Sequence, residues 1–568
     1  MKALSKMKDF LKDNFSFVEI VLLLTFFAVG GFNEFISCYL SVAFSGYLFF
    51  KILRNKELCI KVNLMSVAVA VIVLFYGFSV LWALDSGMAF IGFLKFLALG
   101  LFLVSLWQTN KGNGFFKILP YVGAVMVIIS GIFSLFSATS SLFMVSGRLS
   151  GFFQYPNTFA LFLLVCELLI ISKTKLKIVE YIALITLIGG ILYTGSRTAF
   201  LLFLASNFVM LLFNANKKLK ITLIIGAVIM LAVIFIIAFF GPEGNILSRY
   251  LKFSLTESTF VGRLLYISDA LPLVLKYPFG MGYMGYHFIQ GSIQTGVYNV
   301  AYVHNEFLQF ALDIGIIPAL IFVAAIVSFF FKKHINISKK IIVAVVCLHS
   351  LFDFNFQFMG IFMLLLLLCD DKNSKQIILK KTFAFKMIAV SLAIINLYMA
   401  LSLTLAHFGA REMADKLFPY NTRNTLNMLN YEENIDRANE LANKVLEQNS
   451  YYYAPFSAKA KYAYSEGDFV GVIENKNAVF KRIPFRYTEY KEYCIMLING
   501  ISAYEKMGDN ASARICKNEL ISTKEKLESN TDRLSYFGSL IDEQPSTQLS
   551  SDILYYIENL EKGHKNEG

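Results

Sequence analysis

The chain has 568 residues, 56% hydrophobic and 16% charged, with a mean hydropathy of +0.58 and a formal net charge of +12. Soluble domains carry about 25% charged residues, so this composition excludes a soluble enzyme and implies a polytopic membrane protein. The basic excess is not a nucleic-acid footprint. Residues 1–407 hold 32 Lys and Arg against 16 Asp and Glu, and residues 408–568 hold 20 against 24. The positive charge therefore belongs to the apolar part, where Lys and Arg in short loops set topology.

Lys2, Lys6, Lys8 and Lys12 precede the first apolar run, and no small-residue cleavage site follows at once, which reads as an uncleaved first span. A span needs about 20 apolar residues. Thirteen candidates follow: 15–32, 35–50, 62–84, 88–107, 118–137, 158–172, 178–193, 198–213, 221–240, 306–331, 340–352, 357–369 and 387–407. With the N-terminus inside, the inner segments hold 25 Lys and Arg. The outer loops before residue 408 hold six: Arg148, Arg197, Arg249, Lys252, Arg263 and Lys276. Lys95 sits within a span. This asymmetry places a long loop, 241–305, and everything after 408 outside the membrane.

The expected fold is all-α: a polytopic helical bundle at 1–407, then an extracytoplasmic helical domain at 408–568. In the tail, 433–448, 451–465, 469–482, 488–506 and 511–527 read as helices, with turns at Glu466-Gly467-Asp468 and Gly508-Asp509-Asn510. The turns lie 41 residues apart, near the period of helical-hairpin repeats, and the tail resembles a tetratricopeptide-type array. A plain helical bundle is the competing reading. The seven cysteines show no metal-ligand spacing. Neither a metal nor a cofactor is expected, and no nucleic-acid partner.

The chemistry-bearing residues lie on the outer side. Arg148 is in G-R-L-S-G-F-F-Q-Y-P-N, ahead of the span at 158, as an interfacial anchor or a substrate contact. Arg197, in T-G-S-R-T, joins two apolar spans with almost no loop. Such an arginine either snorkels or faces a polar cavity, and its planar fork matches phosphate oxygens. Arg263 follows Gly262 in the long loop, which continues through P-F-G-M-G; alone it reads as a solvated charge. His304, in Y-V-H-N-E-F-L-Q, stands where that loop meets a span, as a polar cap or a general base. His349 and Asp353 are four apart in H-S-L-F-D-F, so on a helix they share a face and the carboxylate orients the imidazole; a buried satisfied pair competes equally.

The ordered set R-x-x-G-F-x-x-x-P-N, T-G-S-R, G-R with P-x-G-x-G, H-N-E-x-L-Q and H-S-x-x-D-F, across about residues 140–370, resembles the O-antigen ligase/polymerase superfamily. The resemblance implies a metal-independent, GT-C-like membrane glycosyltransferase of cell-surface polysaccharide biosynthesis. It would take a glycan from an undecaprenyl-diphosphate carrier at the outer face of the bacterial cytoplasmic membrane and pass it to a hydroxyl of a glycan, lipid or protein. By motif, Arg197 and Arg263 would bind the diphosphate and His304 would activate the acceptor. Arg148 would assist at the diphosphate, and Asn305, His349 and Asp353 would be supporting positions. The tail would meet other polysaccharide-assembly proteins. Val303 departs from the pattern, since many members place a polar residue or second histidine there. The alternative class is a lipid-linked glycan flippase or transporter. Such proteins usually show internal repeats, which this sequence lacks, and the candidate charges cluster on one face. A membrane-anchored scaffold would not need so many spans.

Overall fold

The computed structural model describes residues 16–109, 114–173, 175–213, 246–251, 257–371, 373–380 and 382–566, with single positions 220, 221, 224 and 235. Five helices are long and apolar enough to cross a membrane: Glu34–Asn55, Ser86–Trp107, Phe115–Ser134, Ser258–Lys276 and Thr382–His407. Seven shorter apolar helices accompany them, namely Phe17–Phe27, Leu64–Ser79, Pro156–Ile171, Ile178–Thr194, Arg197–Phe213, Ile316–Phe331 and Met359–Cys369. The architecture is that of a helical, multi-pass membrane protein. The expected span 221–240 falls almost entirely outside the described residues.

Burial sorts these helices. Met359–Cys369 is buried on every side, Pro156–Ile171 nearly so, and Ser86–Trp107 is mostly enclosed. A helix that is apolar all round belongs at a bundle centre. Thr382–His407 packs along Glu34–Asn55 and leaves Phe383, Ile394 and Leu401 exposed, as a lipid-facing helix would.

Three features depart from the sequence expectation. First, two short antiparallel ribbons accompany the all-α fold. Leu58–Val62 pairs antiparallel with Lys375–Leu379, and Met144–Val145 with Arg148–Leu149. The first ribbon joins two lysine-rich connections that the charge count had put on one side. Second, the segment read as a long loop is largely helical, forming Ser258–Lys276 and Gly285–Ile293. Its polar residues blunted the apolar signal. Third, the span read as 306–331 breaks into Glu306–Ile314 and Ile316–Phe331 around Gly315 at φ +95°.

That break explains the glycine motif at 278–282. The carbonyls of Leu312 and Asp313, freed at the helix end, accept from the backbone N–H of Met281 (2.7 Å) and Gly282 (2.9 Å). The approach leaves no room for a side chain. A Cβ on Gly280 would lie 2.4 Å from the Asp313 carbonyl oxygen, and one on Gly315 would lie 2.6 Å from that of Pro278. Both glycines also have positive φ, which costs an L-residue about 1–2 kcal/mol.

The tail helices Ile435–Gln448, Ala454–Ser465, Phe469–Arg482, Tyr487–Met507 and Asn510–Glu528 begin and end within a few residues of the sequence reading. They turn at Gly467 and Gly508, both at positive φ. Leu426, Leu429, Leu441 and Val445 share one apolar core with the membrane helices, whereas a second core runs from Ala463 to Ile557. At Gly87 the two parts meet so closely that a Cβ would sit 1.8 Å from the Tyr420 carbonyl oxygen.

Candidate active site

The helix Ile178–Thr194 ends on Gly195 in the left-handed region, and Arg197 opens the next helix. This turn gathers three arginines. The Thr194 carbonyl, left free at the helix end, accepts from Arg148 Nε at 2.8 Å. Arg263 Nη1 donates to Thr198 Oγ1 at 3.4 Å. Arg197 donates through Nε to the Arg249 carbonyl at 2.8 Å and pairs with Glu257. The T-G-S-R-T motif is thus a junction where a capped helix end meets guanidinium groups from elsewhere in the chain.

Asp353 is the second junction. It lies between the helix Ile337–Ser350 and the 3-10 turn Asn355–Gln357, and its side chain is 2% exposed. Oδ1 accepts from Tyr155 OH at 2.9 Å, and Oδ2 accepts from Asn157 Nδ2 at 2.8 Å and from Arg263 Nη2 at 3.2 Å. His304 Nδ1 lies 3.5 Å from Oδ1. Burial alone would raise this carboxyl; His304 and Arg263 more than offset that and hold it well below the usual carboxylate range. Arg148 Nη2 donates to Asn157 Oδ1 at 2.6 Å, which ties the first junction to the second. Burial, with Arg249 and Arg263 close by, lowers the Arg148 pKa.

His304 has φ +55°, uncommon for a residue with a Cβ. The strain follows from its place one residue before a capped helix. Asn305 Oδ1 accepts from the Leu308 N–H at 3.0 Å and so caps Glu306–Ile314. Asn305 acts here by fixing the chain. The His304 ring stands between Tyr266, with centroids 5.8 Å apart, and Phe354, at 5.0 Å.

The sequence pairing of Asp353 with His349 is corrected. The helix ends at Ser350, so Asp353 leaves the face that an i, i+4 relation requires and turns to His304. His349 is fully buried, and its Nδ1 accepts from Asn355 Nδ2 at 2.9 Å. Asn355 in turn accepts from Thr158 Oγ1 at 3.0 Å. His349 braces the turn beneath the site.

Sequence reasoning missed Tyr155, which binds Asp353, and Glu257, which pairs with Arg197. It counted Arg249 only as a loop charge. Asn157, which enters the sequence reading only as the end of the Arg148 motif, bridges Arg148 and Asp353 through its side chain. It also missed a polar network behind the site. Lys95 is fully buried and donates to Tyr283 OH and Gln357 Oε1, each at 3.2 Å. Glu306 Oε1 accepts from the N–H groups of Phe356 (2.6 Å) and Gln357 (3.1 Å), binding the His304 segment to the Asp353 turn. The only available signal was a lysine and an H-N-E glutamate in apolar surroundings, where charge is costly unless partnered.

Compared with known proteins, no curated protein and no solved structure matches the chain. A family model described as O-antigen ligase matches residues 182–324. That segment holds Arg197, Arg263 and His304; Arg148 and Asp353 reach the same cluster from either side of it. The helices that gather these three residues are thus the part of the chain that matches the O-antigen ligase family.

Proposed function

We propose that the protein transfers or polymerises a glycan from an undecaprenyl-diphosphate carrier onto an acceptor hydroxyl, at the outer face of the cytoplasmic membrane. The observation that carries this reading is that one buried carboxylate, Asp353, holds both an arginine, Arg263, and a partly exposed imidazole, His304. In the proposed step, His304 Nε2 takes the proton of the acceptor hydroxyl while Nδ1 faces Asp353. The hydroxyl oxygen bonds to the anomeric carbon as the bond from that carbon to the diphosphate oxygen breaks. The lipid diphosphate leaves with its negative charge met by Arg263, Arg197 and Arg148, whose planar forks suit phosphate oxygens.

Three further observations support the reading. The arginines converge on the 194–198 turn, so one anion can meet more than one of them. Arg148, Arg197 and Arg263 are all only partly exposed, so water screens their charge less than it would on an open surface. The site also has a defined end of the fold. The helix Ile337–Ser350 has His349 at one end; near the other, Lys332 and His334 pair with Asp371. The lysine-rich ribbon of Leu58–Val62 with Lys375–Leu379 follows Asp371, while the tail packs on the helix that carries Arg263, with Ile541 against Val261 and Leu265. An inner lysine-rich face and an outer site face follow from the positive-inside rule, which puts the tail outside. There, as a helical-hairpin array, it would meet other assembly proteins.

The test is His304→Ala in the full chain, reconstituted with lipid-linked glycan. A positioned general base contributes about 10²–10⁴ in rate, so transfer should fall by that factor while donor binding persists and a chelator has no effect. Full activity in His304→Ala, or loss with chelator and rescue by Mg²⁺ or Mn²⁺, would overturn the mechanism.

A further inference from the structure

On one side, the His304 ring meets Tyr266, which lies on the same helix as Arg263. On the other side it meets Phe354, and Phe354 meets Phe32 with centroids 6.2 Å apart. Phe32, Glu34, His304 and Phe354 are all partly exposed, while Tyr302, Val303, Phe356 and Phe358 behind them are buried. They form one open wall that leads away from the arginine junction.

A residue from the tail stands at the end of that wall. Arg423, on the helix Thr422–Asn430, donates through Nη1 to Glu34 Oε1 at 3.1 Å. The same Glu34 oxygen accepts from Tyr283 OH at 2.7 Å, and Tyr283 OH lies 3.0 Å from Tyr302 OH, two residues before His304. Thr422 and Asn424 are buried, yet the Arg423 side chain keeps 41% of its surface accessible. One guanidinium nitrogen is engaged with Glu34, and the accessible remainder can still donate. Nearby, Asn449 Nδ2 donates to Asp85 Oδ2 at 3.1 Å, which fixes the tail where Arg423 reaches the wall.

We propose that the tail completes the acceptor subsite, with Arg423 and Glu34 binding a saccharide ring laid over Phe32 and Phe354. This rests on the glycosyl-transfer reading above. A guanidinium beside a carboxylate offers donors and an acceptor side by side, which suits adjacent hydroxyls. Aromatic faces offer an apolar floor for the C–H face of a sugar. The leaving diphosphate belongs on the arginine side of His304, so the acceptor belongs on the opposite side, where Arg423 stands.

The experiment uses the full chain in lipid discs. Carrier-linked glycan from the producing cells is the saturating donor, and oligosaccharide released from it by mild acid is titrated as acceptor. Losing a hydrogen bond from a charged group corresponds to about tenfold or more in affinity. Arg423→Gln should therefore raise the half-saturating acceptor concentration at least about tenfold with kcat little changed. Arg423→Lys should recover part of this. If Arg423→Gln does not fold, the Glu34→Gln/Arg423→Gln double variant, which removes both members of the ion pair, gives the same readout. Unchanged acceptor dependence, or a fall in kcat and melting temperature without it, makes Arg423 a strut and overturns the inference. So does a wild-type rate that ignores the oligosaccharide. His304→Ala is run in parallel: activity in that variant sinks the transfer mechanism, whereas its inactivity with normal Arg423→Gln kinetics sinks only the acceptor subsite.

Discussion

Asp353 and His304 come from separate segments of the chain and meet with the carboxylate 3.5 Å from the imidazole Nδ1. The contact gives the proposed base an orientation. A carboxylate at Nδ1 favours the tautomer that leaves Nε2 free to take a proton, and it stabilises the imidazolium that then forms. Arg263 on the same carboxylate keeps the base and the leaving-group charge in one rigid frame.

Asp353→Asn should therefore reduce transfer by about 10²-fold or more while leaving insertion intact, because the shape is kept and the charge is lost. His349→Ala should act differently. It removes the brace on Asn355 and should lower the melting temperature by opening a buried cavity, with a smaller effect on rate. Rate assays and melting curves on both variants check this, and a larger rate loss in His349→Ala would reverse the assignment. The sign of the pH effect is also fixed. The Asp353 carboxyl is held low in the fold, so its ionised contribution is present above the ordinary carboxylate pKa and is lost only in strong acid. Mild acid, near pH 5, should therefore leave the Asp353 contribution to stability in place, which melting curves can check.

The three arginines should separate by their contacts. Arg197→Ala and Arg263→Ala should each cost about 10²–10³ in rate, the usual effect of removing one preorganised donor. Lysine should rescue either only partly, since a point charge does not replace a fork. Arg148→Ala should also weaken the Asn157 link to Asp353. Polymer length and amount on gels provide the readout, and near-normal product in both Arg197→Ala and Arg263→Ala would leave them as interfacial anchors.

The tail should lie outside the cytoplasm, because it packs at the arginine end and not at the lysine-rich ribbon. A reporter active only in the cytoplasm, fused after residue 563, should stay silent, and one fused in the connection after residue 331 should be active. Strong cytoplasmic signal from the tail fusion would invert the topology and remove the outer-face chemistry with it.

The sequence by itself determined the membrane character, most helix positions, and the candidate arginines and histidine that the fold gathers. Each is a local property: apolar length, loop charge, or polar residues stranded in an apolar chain. Tertiary structure decided the pairings. Asp353 turned from His349 to His304 because the helix stops at Ser350, which a spacing rule assuming a continuous helix cannot see. Arg423 joined Glu34 across most of the chain, and Lys95 found Tyr283 and Gln357 in the same way. Charges buried in an apolar bundle must be partnered, and which partner each finds depends on how the helices pack.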